Sequence, residues 1–237
     1  MDNAGYVTLT RQSGLASELR TLAQNVANAS TVGYRREGVV FSEYVKQGGD
    51  ESLSMAQAGA HYIDQSQGVL KRTGGPFDVA IEGDGYFRIE TDNGERLTRA
   101  GNFSLNDTGE LVTTDGQRVL SGDGGAITIP EGTGTIAISS DGEISADGEA
   151  LAQIGVSTAD PKTLQREGDN LFRATNGSQP AENFKVAQGF LEQSNVNSVA
   201  EIARLIEVQR AYEMGQGMLE REHNRMTSMI QTLGRSV

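Results

Sequence analysis

The chain has 237 residues, 36% of them hydrophobic and 30 of them glycine, so it can bury a real core in one or two domains but has few large side chains to fill it. Its net charge of −12 argues against a nucleic-acid backbone or an anionic membrane as the main partner. With no cysteine and two histidines, it excludes disulfides, thiol catalysis and a His-rich metal centre.

The opening Met1-Asp2-Asn3 carries no basic n-region, and neither an apolar h-region nor a run of ~20 apolar residues follows. A route out of the cytoplasm would therefore be other than the general secretory one. Residues 3–29 read as an amphipathic helix. Leu15, Leu19, Leu22, Val26 and Ala29 recur at helical spacing on one narrow stripe, interrupted only by Gly14. Gly33 supplies the stop, since glycine accepts the left-handed backbone that ends a helix. Arg35-Arg36 beyond it reads as a solvated helix end, and residues 46–67 follow neither period, as an extended link would.

The centre reads as antiparallel β structure. Asn93-Gly94 and Asp115-Gly116 are hairpin signals between short β-rich runs, and further runs at 127–129, 136–138 and 153–156 are separated by Asp-Gly turns. Strands at such regular intervals predict a sandwich or barrel-like domain.

Ser198-Val199-Ala200-Glu201 is a capping box opening a long C-terminal helix. One heptad set is Leu205, Tyr212, Leu219, Met226 and Leu233; its companion is Ile202, Gln209, Gln216, His223 and Ile230. This 3,4 repeat predicts a coiled-coil seam on a rod of roughly 54 Å, too long for a domain of this size to cover. The expected class is α+β. Residues 1–45 form an N-terminal helix and link, 46–70 an extended linker and 71–190 the central β-rich domain. The C-terminal helix of 191–237 packs with 1–30 as a discontinuous helical core.

Motifs for chemistry are weak. Gly132-Thr133-Gly134-Thr135-Ile136-Ala137 fits a loose dinucleotide fingerprint, but turn residues follow where a helix N-terminus is needed. The acidic run 141–149 has Ala146 at the position where a calcium loop needs glycine, so consecutive turns explain it better. No carboxylate pair stands out for glycoside hydrolysis, and no GxSxG elbow or placed base exists for a nucleophilic serine. His61 falls in the extended link and His223 on the helix seam. No catalytic residue, cofactor or metal site is expected.

The termini resemble a known family. Residues 23–34, Ala-Gln-Asn-Val-Ala-Asn-Ala-Ser-Thr-Val-Gly-Tyr, are similar to the A-x-N-[IV]-A-N-x-x-T-x-G-[FY] signature of flagellar rod and hook proteins. Residues 191–197 and 209–213 resemble that family's C-terminal signature, and 77–87 and 98–103 its central block. The opening residues 1–7 look like its proximal-rod member rather than its distal-rod or hook paralogues. The resemblance implies a non-enzymatic subunit of the flagellar basal-body rod, lying in the periplasm. Its implied partners are other rod subunits and the flagellar export apparatus, with export needing no cleaved signal peptide.

The expected self-assembly interface is Leu15, Leu19, Leu22, Asn25, Val26 and Asn28 on the first helix, with Ile202, Leu205, Gln209, Tyr212, Leu219, Met226, Ile230 and Leu233 on the last. Asn25 and Asn28 would fix register on an apolar seam at some cost in stability. A secreted β-rich adhesin or binding module is the alternative from another class, disfavoured by only 5% aromatic residues.

Overall fold

A computed structural model describes residues 2–48, 51–168 and 170–234. In chain order the elements begin with helix α1 (Asp2–Ala27) and strands β1 (Glu37–Gly48) and β2 (Glu51–Ile63). Short strands follow: β3 (Leu70–Arg72), β4 (Val79–Gly83), β5 (Tyr86–Thr91), β6 (Gly94–Thr98), β7 (Ser104–Leu105), β8 (Leu111–Val112) and β9 (Arg118–Val119). Then come β10 (Ile136–Ile138), β11 (Glu143–Ala146), β12 (Glu149–Gln153), β13 (Val156–Thr158), β14 (Leu164–Glu167) and β15 (Leu171–Ala174). The chain closes with β16 (Gln179–Pro180), β17 (Phe184–Gln188), β18 (Phe190–Glu192) and helix α2 (Ser198–Gly234).

These elements form two units. The first comprises residues 1–27, 37–64 and 197–237; the second comprises 28–36 and 65–196. The residues read as an extended link thus belong largely to a long antiparallel hairpin of β1 and β2 that packs on α1. The register shifts between Val40 and Phe41, where β2 carries one extra residue, and both of these neighbours are exposed.

In the first unit α1 and α2 run antiparallel. Asn25 meets Glu201, Glu18 pairs with Arg204, and Gln12 reaches Tyr212. The coiled coil expected from the heptads is not what forms. Gln209, Gln216 and His223 are exposed, as are Ile202 and Ile230 at 46% and 70%. The covered stripe is instead Glu201, Leu205, Val208, Tyr212, Gly215, Leu219 and Glu222, sharing one heptad set with the expectation and shifting the other by one residue. One residue is a rotation of about 100°, enough to replace Ile202 with Glu201 at the contact. The reason is α1 and its companions: the buried Asn25 offers an amide N–H that Glu201 accepts, a contact an apolar Ile there could not make. The expectation that no surface of the chain could cover the helix also fails, because α1 covers it as far as Glu222. Nor does Ser198 cap α2. Asn197 does, its Oδ1 accepting from Ala200 N at 3.2 Å, which frees Glu201 to turn inward.

The two glycines of α2 have different surroundings. A Cβ on Gly215 would lie 1.9 Å from Nε2 of Gln12, whose amide is buried across the helix and donates to Tyr212 O at 2.8 Å. A Cβ on Gly217 would meet nothing within 4 Å. Gly217→Ala should therefore stabilise the helix by about 0.5–1 kcal/mol, whereas Gly215→Ala should lose that gain by displacing Gln12. Thermal unfolding followed by far-ultraviolet circular dichroism checks the ordering. Equal stabilisation by both would show that Gln12 yields without cost.

The second unit is β throughout. Its largest sheet runs β14-β15-β6-β5-β9-β8-β7, with β13 pairing both β5 and β16; β10-β11-β12, β4-β17 and β3-β18 form smaller sheets. Val79, Phe87, Ile89, Val119, Ile127 and Phe172 are fully buried in it. Turn chemistry explains the short strands. Asp147 and Gly148 both take positive φ, +52° and +90°, the mirror-image turn that joins β11 to β12 with the right-handed twist of the strands. The acidic run 141–149 is thus two turns around β11. The glycine-rich run at 132–137 leads into strand β10, not a helix.

Candidate assembly surface and signature clamp

Residues 28–36 leave α1 and dock on the second unit, where they build its most densely charged interior site. Asn28 starts the bend: its backbone carbonyl accepts from Thr31 N at 3.1 Å and its side chain accepts from the Thr31 hydroxyl. Val32 O accepts from Asn170 Nδ2 at 2.8 Å. Gly33 then takes φ +67° and donates its N–H to Glu192 O at 2.7 Å. A Cβ on Gly33 would sit 2.3 Å from the backbone of Arg99 and Ala100, so only glycine lets the two chains approach this closely. Tyr34 is buried with the Arg166 guanidinium 4.3 Å over its ring.

Arg35 is the largest correction to the sequence reading. Far from a solvated helix end, it is 1% exposed, as is Glu192, and its Nη2 lies 3.0 Å from Glu192 Oε1. Arg99 Nη1 reaches the other carboxylate oxygen at 3.2 Å. Glu192 also accepts from Gly68 N at 2.9 Å. Two guanidinium groups therefore share one carboxylate. The residual positive charge is dispersed over backbone carbonyls: Gln65 and Ser66 accept from Arg35, Ile81 and Gly83 from Arg99. The Tyr86 ring faces Arg99 at 5.3 Å, and its hydroxyl donates to Gln65 Oε1 at 2.6 Å. Burial pushes the Tyr86 hydroxyl above its usual range, an effect that Arg35 and Arg99 only partly oppose. Burial, and then the like charge of Arg35, lowers the proton affinity of Arg99, which Glu192 opposes. Arg36 stays at the clamp's edge, its N–H donating to Asn195 Oδ1 at 2.6 Å.

The residues expected at the assembly interface fall into three groups. Leu22 and Asn25 are buried inside the first unit. Asn25 is completely covered; its amide donates to Glu37 O at 2.8 Å and Glu201 Oε2 at 3.1 Å, and its Oδ1 accepts from Glu37 N at 3.0 Å. Leu15, Leu19, Val26, Leu205, Tyr212 and Leu219 are half-buried, while Asn28 shapes the bend in the second unit. Ile202, Gln209, Met226 and Ile230 are exposed, and the side chain of Leu233 lies outside those described. Beyond Glu222, Met226 and Met229 continue the covered stripe at its 4,3 spacing, yet they are 51% and 50% exposed, and Ile230 beside them is 70% exposed.

Sequence reasoning passed over Arg35, Arg99, Glu192 and Arg166 as site residues. Arg99 and Glu192 lie within the signature blocks at 98–103 and 191–197 and Arg35 directly follows the block at 23–34, whereas Arg166 lies in none of them.

Residues 80–146 match "Flagellar hook protein FlgE/F/G D1 domain", and residues 187–232 match "Flagellar basal body rod FlgEFG protein C-terminal". The "Flagellar basal-body rod protein FlgF" of Mesorhizobium japonicum is 38% identical, over 99% of both chains. The chain belongs to the flagellar basal-body rod protein family. The FlgF protein of Caulobacter vibrioides is 39% identical over 99% of both chains, and the FlgG protein of Bacillus subtilis 35% identical over 88% of this chain and 90% of its own. Among the described residues, Arg35, Arg99 and Glu192 are buried charges in contact, and the end of α2 is exposed.

Proposed function

We propose that the chain is a structural, non-enzymatic subunit of the flagellar basal-body rod, of the FlgF type, which joins neighbouring rod subunits through the uncovered length of α2. The observation that carries this reading is full-length similarity to FlgF relatives, 37–39% identical over 99–100% of the chain. Similarity to a FlgG relative spans only 88% of the chain, which makes that the second reading.

The helix end supports a subunit that contacts its neighbours head to tail. An apolar stripe that outruns its intramolecular partner is satisfied by a further helix, and head-to-tail contacts that do not close generate helical assemblies. The acidic β unit would stay solvated and limit lateral clumping. Among the described residues no helix is long and apolar enough to cross a membrane. Delivery would use the flagellum's own export apparatus, with assembly in the periplasm, where a chain without cysteine needs no oxidative step.

Purified hook–basal bodies from cells carrying a tagged chain test this. The chain should co-purify with them, and a gold label should mark the rod close to its membrane-embedded base. A chain found only in the cytoplasm or the medium would overturn the proposal, and a label at the distal rod would favour the second reading.

A further inference from the structure

We propose that the Arg35–Glu192–Arg99 triad makes docking of residues 28–36 conditional on Glu192, so that the N-terminal signature segment closes on the β unit only after the C-terminal one has taken its place. Arg99 projects from the end of β6, and Arg35 arrives with the docking segment. Both are almost wholly buried and both direct a guanidinium at the same carboxylate. Without Glu192, closing the segment would bury two like charges side by side with only neutral carbonyls for partners, which is strongly unfavourable. With Glu192 seated, the same closure forms two charge-assisted contacts and the Gly33 N–H gains the Glu192 carbonyl.

The rest of the interface agrees with a segment that closes as a piece. Its other anchors, Asn170 to Val32 O and Arg166 over Tyr34, come from β15's approach and β14, elements late in the chain. Asn195, three residues after Glu192, holds the Arg36 N–H and donates to Ser66 O at 2.9 Å. Apart from the Gln65 and Ser66 carbonyls that accept from Arg35, the polar anchors named for the segment lie at or after Arg99, and the charge that permits closure sits at β18, that unit's last strand. A chain whose C-terminal portion is not yet available would keep residues 28–36 undocked, leaving the end of α1 without a fixed exit.

Hydrogen exchange on the full-length chain tests the inference. Glu192→Gln should accelerate exchange at the Gly33 and Arg36 amides by roughly a hundredfold or more, while amides of Ile81 and Ile89 keep their protection. Wild-type exchange at Gly33 and Arg36, or equal acceleration throughout the β unit, would overturn the proposal. Arg35→Met supplies a second measurement, because it removes one of the two charges while keeping most of the apolar stem. In that background Glu192→Gln should accelerate exchange at Gly33 at least roughly tenfold less than in the native background. Equal acceleration in both backgrounds would mean that the two side chains act independently and that no condition exists.

Discussion

Gly33→Ala should destabilise the β unit by about 3–5 kcal/mol. Two costs add. An alanine at φ +67° carries about 1–2 kcal/mol of backbone strain. Its Cβ would also lie 2.3 Å from the backbone of Arg99 and Ala100, which cannot swing aside as a side chain does. The segment would have to withdraw, stretching the Gly33–Glu192 bond and uncovering Tyr34 and the buried arginines. Gly116→Ala separates the two terms: φ there is +81° but nothing lies within 4 Å of the added carbon. It should cost only the strain. Denaturant unfolding of both variants measures the difference, and equal losses would show that the clamp tolerates the displacement.

The second large effect is on assembly rather than stability. Ile230→Asp should leave the thermal unfolding of the free subunit within about 0.5 kcal/mol of the native chain, because Ile230 is 70% exposed. Yet it places a charge where a neighbouring helix would have to bury it, at a cost of several kcal/mol. Incorporation into basal bodies and motility should be lost. Leu205→Asp offers the contrast. Leu205 is half-buried against α1, so that change should lower subunit stability as well as assembly. Motile cells carrying Ile230→Asp would remove the uncovered end of α2 from the assembly surface.

Sequence alone determined the class of elements and the family. The helical termini, the Gly-rich β centre and the turns at Gly94, Gly116 and Asp147-Gly148 follow from local chemistry. Glycine and Asp-Gly pairs accept positive φ wherever they stand, and a stripe at helical spacing survives any tertiary arrangement. Glycine at position 33 could be read as a helix stop for the same reason, and its φ of +67° agrees.

What only the tertiary structure decided depends on partners distant in the chain. The heptads of α2 admitted two registers, and the choice fell to Asn25, which needs the carboxylate of Glu201 and so turns Ile202 outward. The hairpin of β1 and β2 was invisible because its strands show no clean alternation, a bulge having shifted the register at Val40. Arg35 looked solvated because arginine is usually found so. Its burial depends on Glu192 and a set of carbonyls from residues 65 and 66, brought to one point only when the β unit closes. A buried charge is tolerated by virtue of its counter-charge, and nothing local to residue 35 announces where that counter-charge lies.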